Sequence, residues 1–297
     1  MTQPNIAKFS TVALALLTLP AVSFAGTSAP GKEMKTVVEK VHESCISGSL
    51  GIDMVSQYIA RGIPLENQGA ILQPYIDLSF KVYEGDGFVT KVSVDLAFWN
   101  SFHSRGTRAS AGSTTQKWFE ADFVAGLSVF LGKNLAVSPY YHAYLSPNDA
   151  FANAHDVGIR LAYNDADLLG PLSLKPYVLV QWDVEGTSGN GGDEGVYYEI
   201  GISPGFQAGP LAITFPIKAG FGSDGYYAGD ESFGFVSGGV NVEYPLAFIP
   251  ECLGSWSVRG YGTYYYLGEG TEDSSVPDVR ESDNSEWVFG GGLRVAF

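Results

Sequence analysis

The chain has 297 residues, of which 16% are charged, 13% are aromatic and 37 are glycine, and its formal net charge is -15. That acidity disfavours nucleic acid as a partner, because such binding rests on lysine and arginine neutralising phosphates. The sequence contains no phosphate loop, zinc spacing or nucleophile elbow, so no cofactor, no metal and no enzymatic activity is expected.

Residues 1–25 have the layout of a secretory signal peptide: Lys8 precedes an apolar run from Val12 to Leu19, and Val22-Ser23-Phe24-Ala25 offers a cleavage site before Gly26. The run is shorter than the roughly 20 residues a helix needs to cross a bilayer, and no later stretch reaches that length without a charge. A helical membrane protein is therefore excluded, and an exported one is expected. Residues 26–48 read as a periplasmic segment in which Met34, Val37, Val38 and Val41 stand at helical spacing. A short periplasmic helix is one reading of that segment, and a plug for the domain that follows is the other.

From Ser49 onward the pattern changes to strands separated by clusters of glycine, aspartate, serine and proline. Twelve strands are expected, at 49–61, 70–83, 88–101, 117–131, 134–145, 155–163, 172–184, 195–207, 210–221, 233–245, 255–267 and 286–297. Long connections at 62–69, 102–116, 146–154, 185–194, 222–232 and 268–285 alternate with mostly short ones, the rhythm of an outer-membrane barrel with short periplasmic turns. Each strand is two-sided. In the second, Leu72, Pro74, Ile76, Leu78, Phe80 and Val82 oppose Gln73, Tyr75, Asp77, Ser79, Lys81 and Tyr83, and no strand puts a charge on its apolar parity.

A soluble sandwich also alternates, and three further features separate the two folds. The polar faces hold Gly, Ser, Tyr and single charges of both signs, which suits a confined lumen. Aromatics gather near strand ends, as at Trp118-Phe119, Tyr140-Tyr141, Trp182, Tyr197-Tyr198, Tyr264-Tyr265-Tyr266 and Trp287. The chain ends in Phe289-x-x-x-Leu293-x-Val295-x-Phe297, which resembles the C-terminal signal read by the outer-membrane barrel assembly machinery. The expected fold is thus an all-β, transmembrane antiparallel barrel of about twelve strands, in contact with outer-membrane lipid and closed because lipid offers no hydrogen bonds to a free edge.

Parity assigns Asp53, Asp77, Asp95, Glu120, Asp122, Asp156, Asp183, Glu199 and Glu243 to the lumen, with Arg61, Lys81, Lys91, Arg160, Lys175, Lys218, Arg259, Arg294 and His142. Glycines 201, 205, 220, 239, 290 and 292 share that side and are read as leaving space for a pore. Pairing of residue 61 with residue 73 would set Asp53 opposite Lys81, with Arg61 at the outer rim. Of the four histidines only His142 is placed on a strand; His155-Asp156 is placed at an outer rim. The excess acid falls in loop 268–286, as a solvated loop or a cation-attracting one. Cys45 and Cys252 fall on the periplasmic side and are a candidate disulfide.

The run Ser56-Gln57-Tyr58-Ile59-Ala60-Arg61-Gly62-Ile63, followed by Leu72-Gln73-Pro74 and Asp77-Leu78-Ser79-Phe80, resembles the first hairpin of the TorF-like family of putative porins. The resemblance covers residues 49–83, with Ala60 where an aromatic is common. It implies a small exported barrel with a pore. A channel for passive diffusion of small hydrophilic solutes or ions is therefore expected, against a closed structural or adhesive barrel with acidic outer loops.

Overall fold

The computed structural model describes residues 44–105, 117–272 and 284–297. The expected signal peptide, the segment around Met34 to Val41 expected to be helical and most of the acidic loop lie outside the described residues. Sixteen strand segments follow in order: β1 (Ile46–Val55), β2 (Tyr58–Ala60), β3 (Ile63–Glu66), β4 (Ile71–Glu84), β5 (Val89–His103), β6 (Trp118–Leu131), β7 (Leu135–Leu145), β8 (Ala154–Tyr163), β9 (Tyr177–Glu185), β10 (Val196–Ile202), β11 (Gly205–Ala208), β12 (Leu211–Thr214), β13 (Ile217–Gly222), β14 (Phe233–Pro245), β15 (Ser255–Leu267) and β16 (Ser285–Ala296).

Fourteen of them form one antiparallel sheet that closes on itself, β1 lying between β4 and β16 and β14 pairing with β15. The wall has twelve strands, as expected, because β10–β11 and β12–β13 are each one strand interrupted, at Ser203-Pro204 and at Phe215-Pro216. Proline has no N–H to give to a ladder, which is why the breaks fall there. At the seam, Gly48 N–H donates to the Phe297 carbonyl (2.9 Å) and Phe297 N–H to the Gly48 carbonyl (3.0 Å).

The exterior is the apolar parity: Leu50, Ile52, Met54, Phe98, Leu127, Leu161, Ile200, Val240, Val258 and Leu293 all face outward and exposed. Trp118, Tyr141, Trp182, Tyr198, Tyr266 and Trp287 ring one end of this band, and Tyr83, Phe88, Tyr163, Phe206, Tyr244 and Phe297 the other. Such surface is stable only in lipid, and the two girdles mark the interfaces. The protein is an outer-membrane β-barrel.

Several expectations need correction. The first barrel strand ends at Val55, not at residue 61, so Asp53 pairs with Gln73 and Ser49 with Asp77. The cause is that β2 and β3 leave the wall as a separate hairpin, whose two-residue turn has Arg61 at φ 51° and Gly62 at φ 85°. Positive φ at both central residues is the geometry whose twist matches a tight hairpin. The connection between β8 and β9 is not short. It holds a helical turn, Ala166–Leu169, and a 3-10 turn, Gly170–Leu172, and the ninth strand starts at Tyr177 rather than 172. Lys175 (φ 51°) therefore stands exposed in a periplasmic turn and not on the lumen wall. Cys45 and Cys252 are both free and exposed. Cys45 adjoins β4, its carbonyl accepting from Lys81 N–H, while Cys252 lies in the turn before β15, with β16 between β15 and β1. Two strand spacings are about 9.6 Å, more than a disulfide spans.

The lumenal glycines do not leave open space. Tyr75 lies over Gly51, Tyr140 over Gly158, Tyr177 over Gly201, Tyr261 over Gly290 and Phe235 over Gly220, each ring occupying the place a Cβ would take, while Asp53 fills the place beside Gly292. A Cβ on Gly201 would stand 2.6 Å from the Tyr177 ring. Gly201→Val is expected to displace that ring and cost about 1–3 kcal/mol, read as a lower urea midpoint of the refolded barrel.

The β8–β9 turn is organised by Asp165, whose carboxylate accepts from the Ser173 hydroxyl (2.6 Å) and the N–H groups of Lys175 (2.9 Å) and Leu174 (3.0 Å). The Ser173 bond first, and the two backbone N–H groups after it, hold its carboxyl down at about 2. The folded value is below the ordinary one of about 3.9, so the turn's stabilisation is complete above that value and is lost as pH falls through about 2. Asp165→Ala should lower the urea midpoint at pH 7, and the difference from wild type should shrink toward pH 2.

Candidate functional site

The hairpin of β2 and β3 folds into the outer half of the lumen. Ser56 and Gln57 hold its root to β16: Ser56 N–H donates to the Phe289 carbonyl (2.8 Å), and Gln57 Nε2 to Glu286 Oε2 (2.7 Å) and the Trp287 carbonyl (2.9 Å). Its apolar side chains, Tyr58, Ile63 and Leu65, meet Ile71, Trp99, Phe119, Phe151, Tyr226, Tyr227, Phe235 and Leu267 in one buried cluster. This is a core of the kind a soluble domain has, enclosed by a barrel wall.

Arg61, at the tip, is 4% exposed. Its Nη2 pairs with Asp156 Oδ2 on β8 (3.1 Å) and donates to the Tyr144 hydroxyl on β7 (2.5 Å), while Nη1 donates to the hydroxyls of Ser188 and Tyr226. The guanidinium carbon lies 5.0 Å from the Tyr197 ring centre, and the Tyr227 hydroxyl donates to the Arg61 carbonyl (2.9 Å). Gln181 on β9 donates to the Tyr144 hydroxyl (2.7 Å) and to Asp156. The left-handed backbone of Arg61, unusual for a residue with a side chain, is thus fixed by contacts from three strands and two loops. Arg61 is not a rim charge, as the sequence suggested, but the centre of the plug.

Buried acids surround it. Tyr58 OH donates to Glu120 Oε2 (2.8 Å), Asp122 Oδ2 meets His142 Nε2 (3.1 Å), and Asp183 accepts from the Ser188 hydroxyl (2.5 Å) and Gly195 N–H (3.0 Å). The outer loops lock over the hairpin: Asn190 Nδ2 donates to the Gly270 carbonyl (2.8 Å), its Oδ1 accepts from Ala228 N–H (3.2 Å), and Thr271 Oγ1 donates to the Gly234 carbonyl (2.7 Å).

The periplasmic half of the lumen is different. Arg259 grips Asp53 through Nε (2.9 Å) and Nη2, Lys218 pairs with Glu199 (3.1 Å), and Arg294 approaches Glu243 (3.5 Å). Asp77 and Asp95 accept from the hydroxyls of Ser49 (3.3 Å) and Ser79 (2.6 Å). Lys91 lies over the Phe130 ring (5.2 Å), Arg160 over Tyr177 (4.3 Å), and Lys81 pairs with Glu84 at the periplasmic end (2.6 Å). Asp77, Asp95, Arg160, Arg259 and Tyr261 are only half-buried, so this half is reachable from the periplasmic side.

Sequence reasoning placed only His142 on a strand, but His103 ends β5 and His155 lies in β8. His155 stacks on Tyr141 and shares a hydrogen bond with its hydroxyl (2.6 Å) on the outer wall, whereas Asp156 points inward, so the two do not act together. Ser101 Oγ lies 2.9 Å from His103 Nε2, and His103 Nδ1 lies 3.8 Å from Glu66. A serine, a histidine and a carboxylate in line have the order of a hydrolase relay. Here Ser101 is 0% exposed and Phe119 stacks on the imidazole at 4.6 Å, so no substrate reaches the hydroxyl. The alternation Ser101-x-His103 was visible in the sequence; Glu66, supplied by the inward hairpin, was not.

No protein-family model matches the chain, and no curated protein matches it significantly. Solved structures with a similar course are outer-membrane barrels. The NanC porin is 12% identical, over 83% of this chain and 98% of its own, with a TM-score of 0.46. An outer membrane channel from Pseudomonas putida F1 is 13% identical, over 89% and 100%, with a TM-score of 0.48. The KdgM porin, solved with disordered oligogalacturonate, is 9% identical, over 84% and 99%, with a TM-score of 0.43. At these values each is a likeness in fold and nothing more, and none of the names is that of the TorF-like group.

Removing the Arg61 charge leaves Asp156 buried and unpaired, a loss of about 3–5 kcal/mol. Arg61→Met is expected to raise amide hydrogen exchange in residues 58–66 accordingly, and Asp156→Asn added to it should restore most of the protection.

Proposed function

We propose that the protein is a porin-like channel of the outer membrane whose conduction is controlled by the inward hairpin. The observation that supports this reading most directly is the contrast between the two halves of the lumen. The periplasmic half presents half-buried charges of both signs, as a surface that water and small hydrophilic solutes or ions wet. The outer half is stopped by a nine-residue segment, 58–66, whose tip is held by an ion pair and hydroxyls. Opening has to release that ion pair and those hydroxyl bonds together with the apolar packing of Tyr58, Ile63 and Leu65, so the closed state is favoured and openings are rare, while the ladder of the wall stays intact.

In this reading Asp77, Asp95, Arg160, Lys218, Glu243, Arg259 and Arg294 form the surface a solute meets, with Glu199 and Asp53 buried behind it as the partners of Lys218 and Arg259, and Arg61, Glu120, Asp122 and His142 belong to the gate. The resemblance of residues 49–83 to TorF-like porins implies a pore and agrees with it; the part of Tyr58, Arg61 and Gly62 in the plug rests on the hairpin geometry. Export by the signal peptide 1–25, a periplasmic segment 26–48 and delivery to the barrel assembly machinery through the Phe297 strand are parts of the same proposal.

A second reading, a closed structural or adhesive barrel, is favoured by the locking of the outer loops through Asn190. Single-channel recording of refolded protein in planar bilayers separates the two. The channel reading expects a mostly silent wild type with rare openings, and Arg61→Ala or Asn190→Ala proteins that open far more often. A barrel that stays silent in all three forms is the closed one.

A further inference from the structure

One row of lumenal positions crosses β6 to β9 without an acid and meets one, Glu199, only on β10, opposite Leu179. Ser128 on β6 and Ser138 on β7 stand with their hydroxyls 3.2 Å apart, and Ser138 is the direct cross-strand partner of Arg160 on β8. On the far side Arg160 pairs with Leu179 of β9. The other lumenal arginines each have a carboxylate partner: Arg61 has Asp156, Arg259 has Asp53 and Arg294 has Glu243. Arg160 has none within 4.0 Å among the described residues. Glu199, across Tyr177, already accepts from Tyr177, Tyr197 and Lys218.

The guanidinium of Arg160 is also oriented. Its carbon lies 4.3 Å from the centre of the Tyr177 ring, and Tyr177 is fixed by its own bond to Glu199 Oε1 (2.7 Å). One face of the cation is therefore occupied by the ring, while its in-plane N–H groups bond no acceptor among the described residues. A planar fork of N–H donors matches the two oxygens of a carboxylate, and Ser138, the direct cross-strand partner of Arg160, has its Cβ about 4.5–5.5 Å from that of the arginine, which sets a hydroxyl beside the base of the same side chain. Both Arg160 and Ser138 are half-buried on the periplasm-facing lumen, so a solute reaches them without passing the plug.

We propose that Arg160, with the hydroxyls of Ser138 and Ser128, forms a carboxylate-binding subsite on the β6–β8 wall of the periplasm-facing lumen. It rests on the accessible lumen of the channel reading and not on conduction. The Tyr177 ring against one face of the guanidinium is its apolar side, so the class of solute that fits is a small organic monocarboxylate.

The test is a titration of full-length protein refolded in detergent micelles, with arginine labelled at Nε, using acetate as the probe and acetamide and sodium chloride at matched concentration as controls. The resonance that Arg160→Gln removes should move saturably with acetate and stay still with acetamide. Arg160→Lys keeps the charge but loses the fork; it has no arginine resonance to follow, so its binding is read from broadening of the acetate methyl signal and should be at least about tenfold weaker than wild type by the same readout, while Ser138→Ala should weaken binding with the Arg160 resonance retained. Heat-modifiable gel mobility confirms that each variant is folded. A shift that is linear in acetate and matched by chloride, a shift unchanged in Ser138→Ala, or acetate broadening unchanged in Arg160→Lys overturns the subsite. Saturable binding in a barrel that never conducts would leave the subsite standing and remove the channel.

Discussion

Lipid gives a backbone N–H or carbonyl nothing to bond, and the whole molecule follows from satisfying that one demand. A strand edge open to hydrocarbon would leave a row of unpaired groups, so the sheet has to return to its first strand. The return is completed at Gly48 and Phe297, the last residue of the chain bonding in both directions to the start of β1. Once the ring exists, the alternation of side chains is no longer a preference but a partition, with lipid on one side and a confined volume on the other.

The confined volume is filled in two ways. Tyrosine rings laid over glycines on the next strand line it, taking up the room that the missing side chains leave. The hairpin then fills the outer half with a true apolar core, into which one arginine is carried. A buried guanidinium is tolerable only with its charge answered and its donors used. Asp156, Tyr144, Ser188 and Tyr226 answer it from four separate parts of the chain. The same side chain that makes the plug polar therefore also ties the hairpin to one side of the wall, from β7 and β8 round to the loop before β14.

The barrel was legible in the sequence because period-2 alternation survives any tertiary arrangement: Leu72 to Val82 against Gln73 to Tyr83 reads the same way before and after folding. Strand number, the aromatic ends and the closing Phe297 were legible for the same reason. The plug was not, because a hairpin that turns inward and a strand that runs on to the rim carry the same pattern from Tyr58 to Ala60. The signal that could have separated them was Arg61-Gly62, a pair fit for a two-residue turn, followed at once by Ile63-Pro64-Leu65. The lumenal glycines misled because parity tells which side a residue faces and not what lies over it. Lys175 reads as lumenal because Leu172, Leu174 and Pro176 continue the apolar parity of the following strand, whereas Asp165 draws this stretch of backbone into a turn.

On its β1 side the hairpin is joined to the wall by two residues, Ser56 and Gln57, while residues 67–70 lead from it into β4; Ser56 and Gln57 are both bonded to β16, the strand that completes the ring. The contents of this barrel are thus fastened to its seam. Pairing of the last strand with the first fixes the root of the plug in the same step, so the event that makes the wall continuous is also the one that anchors what stands inside it.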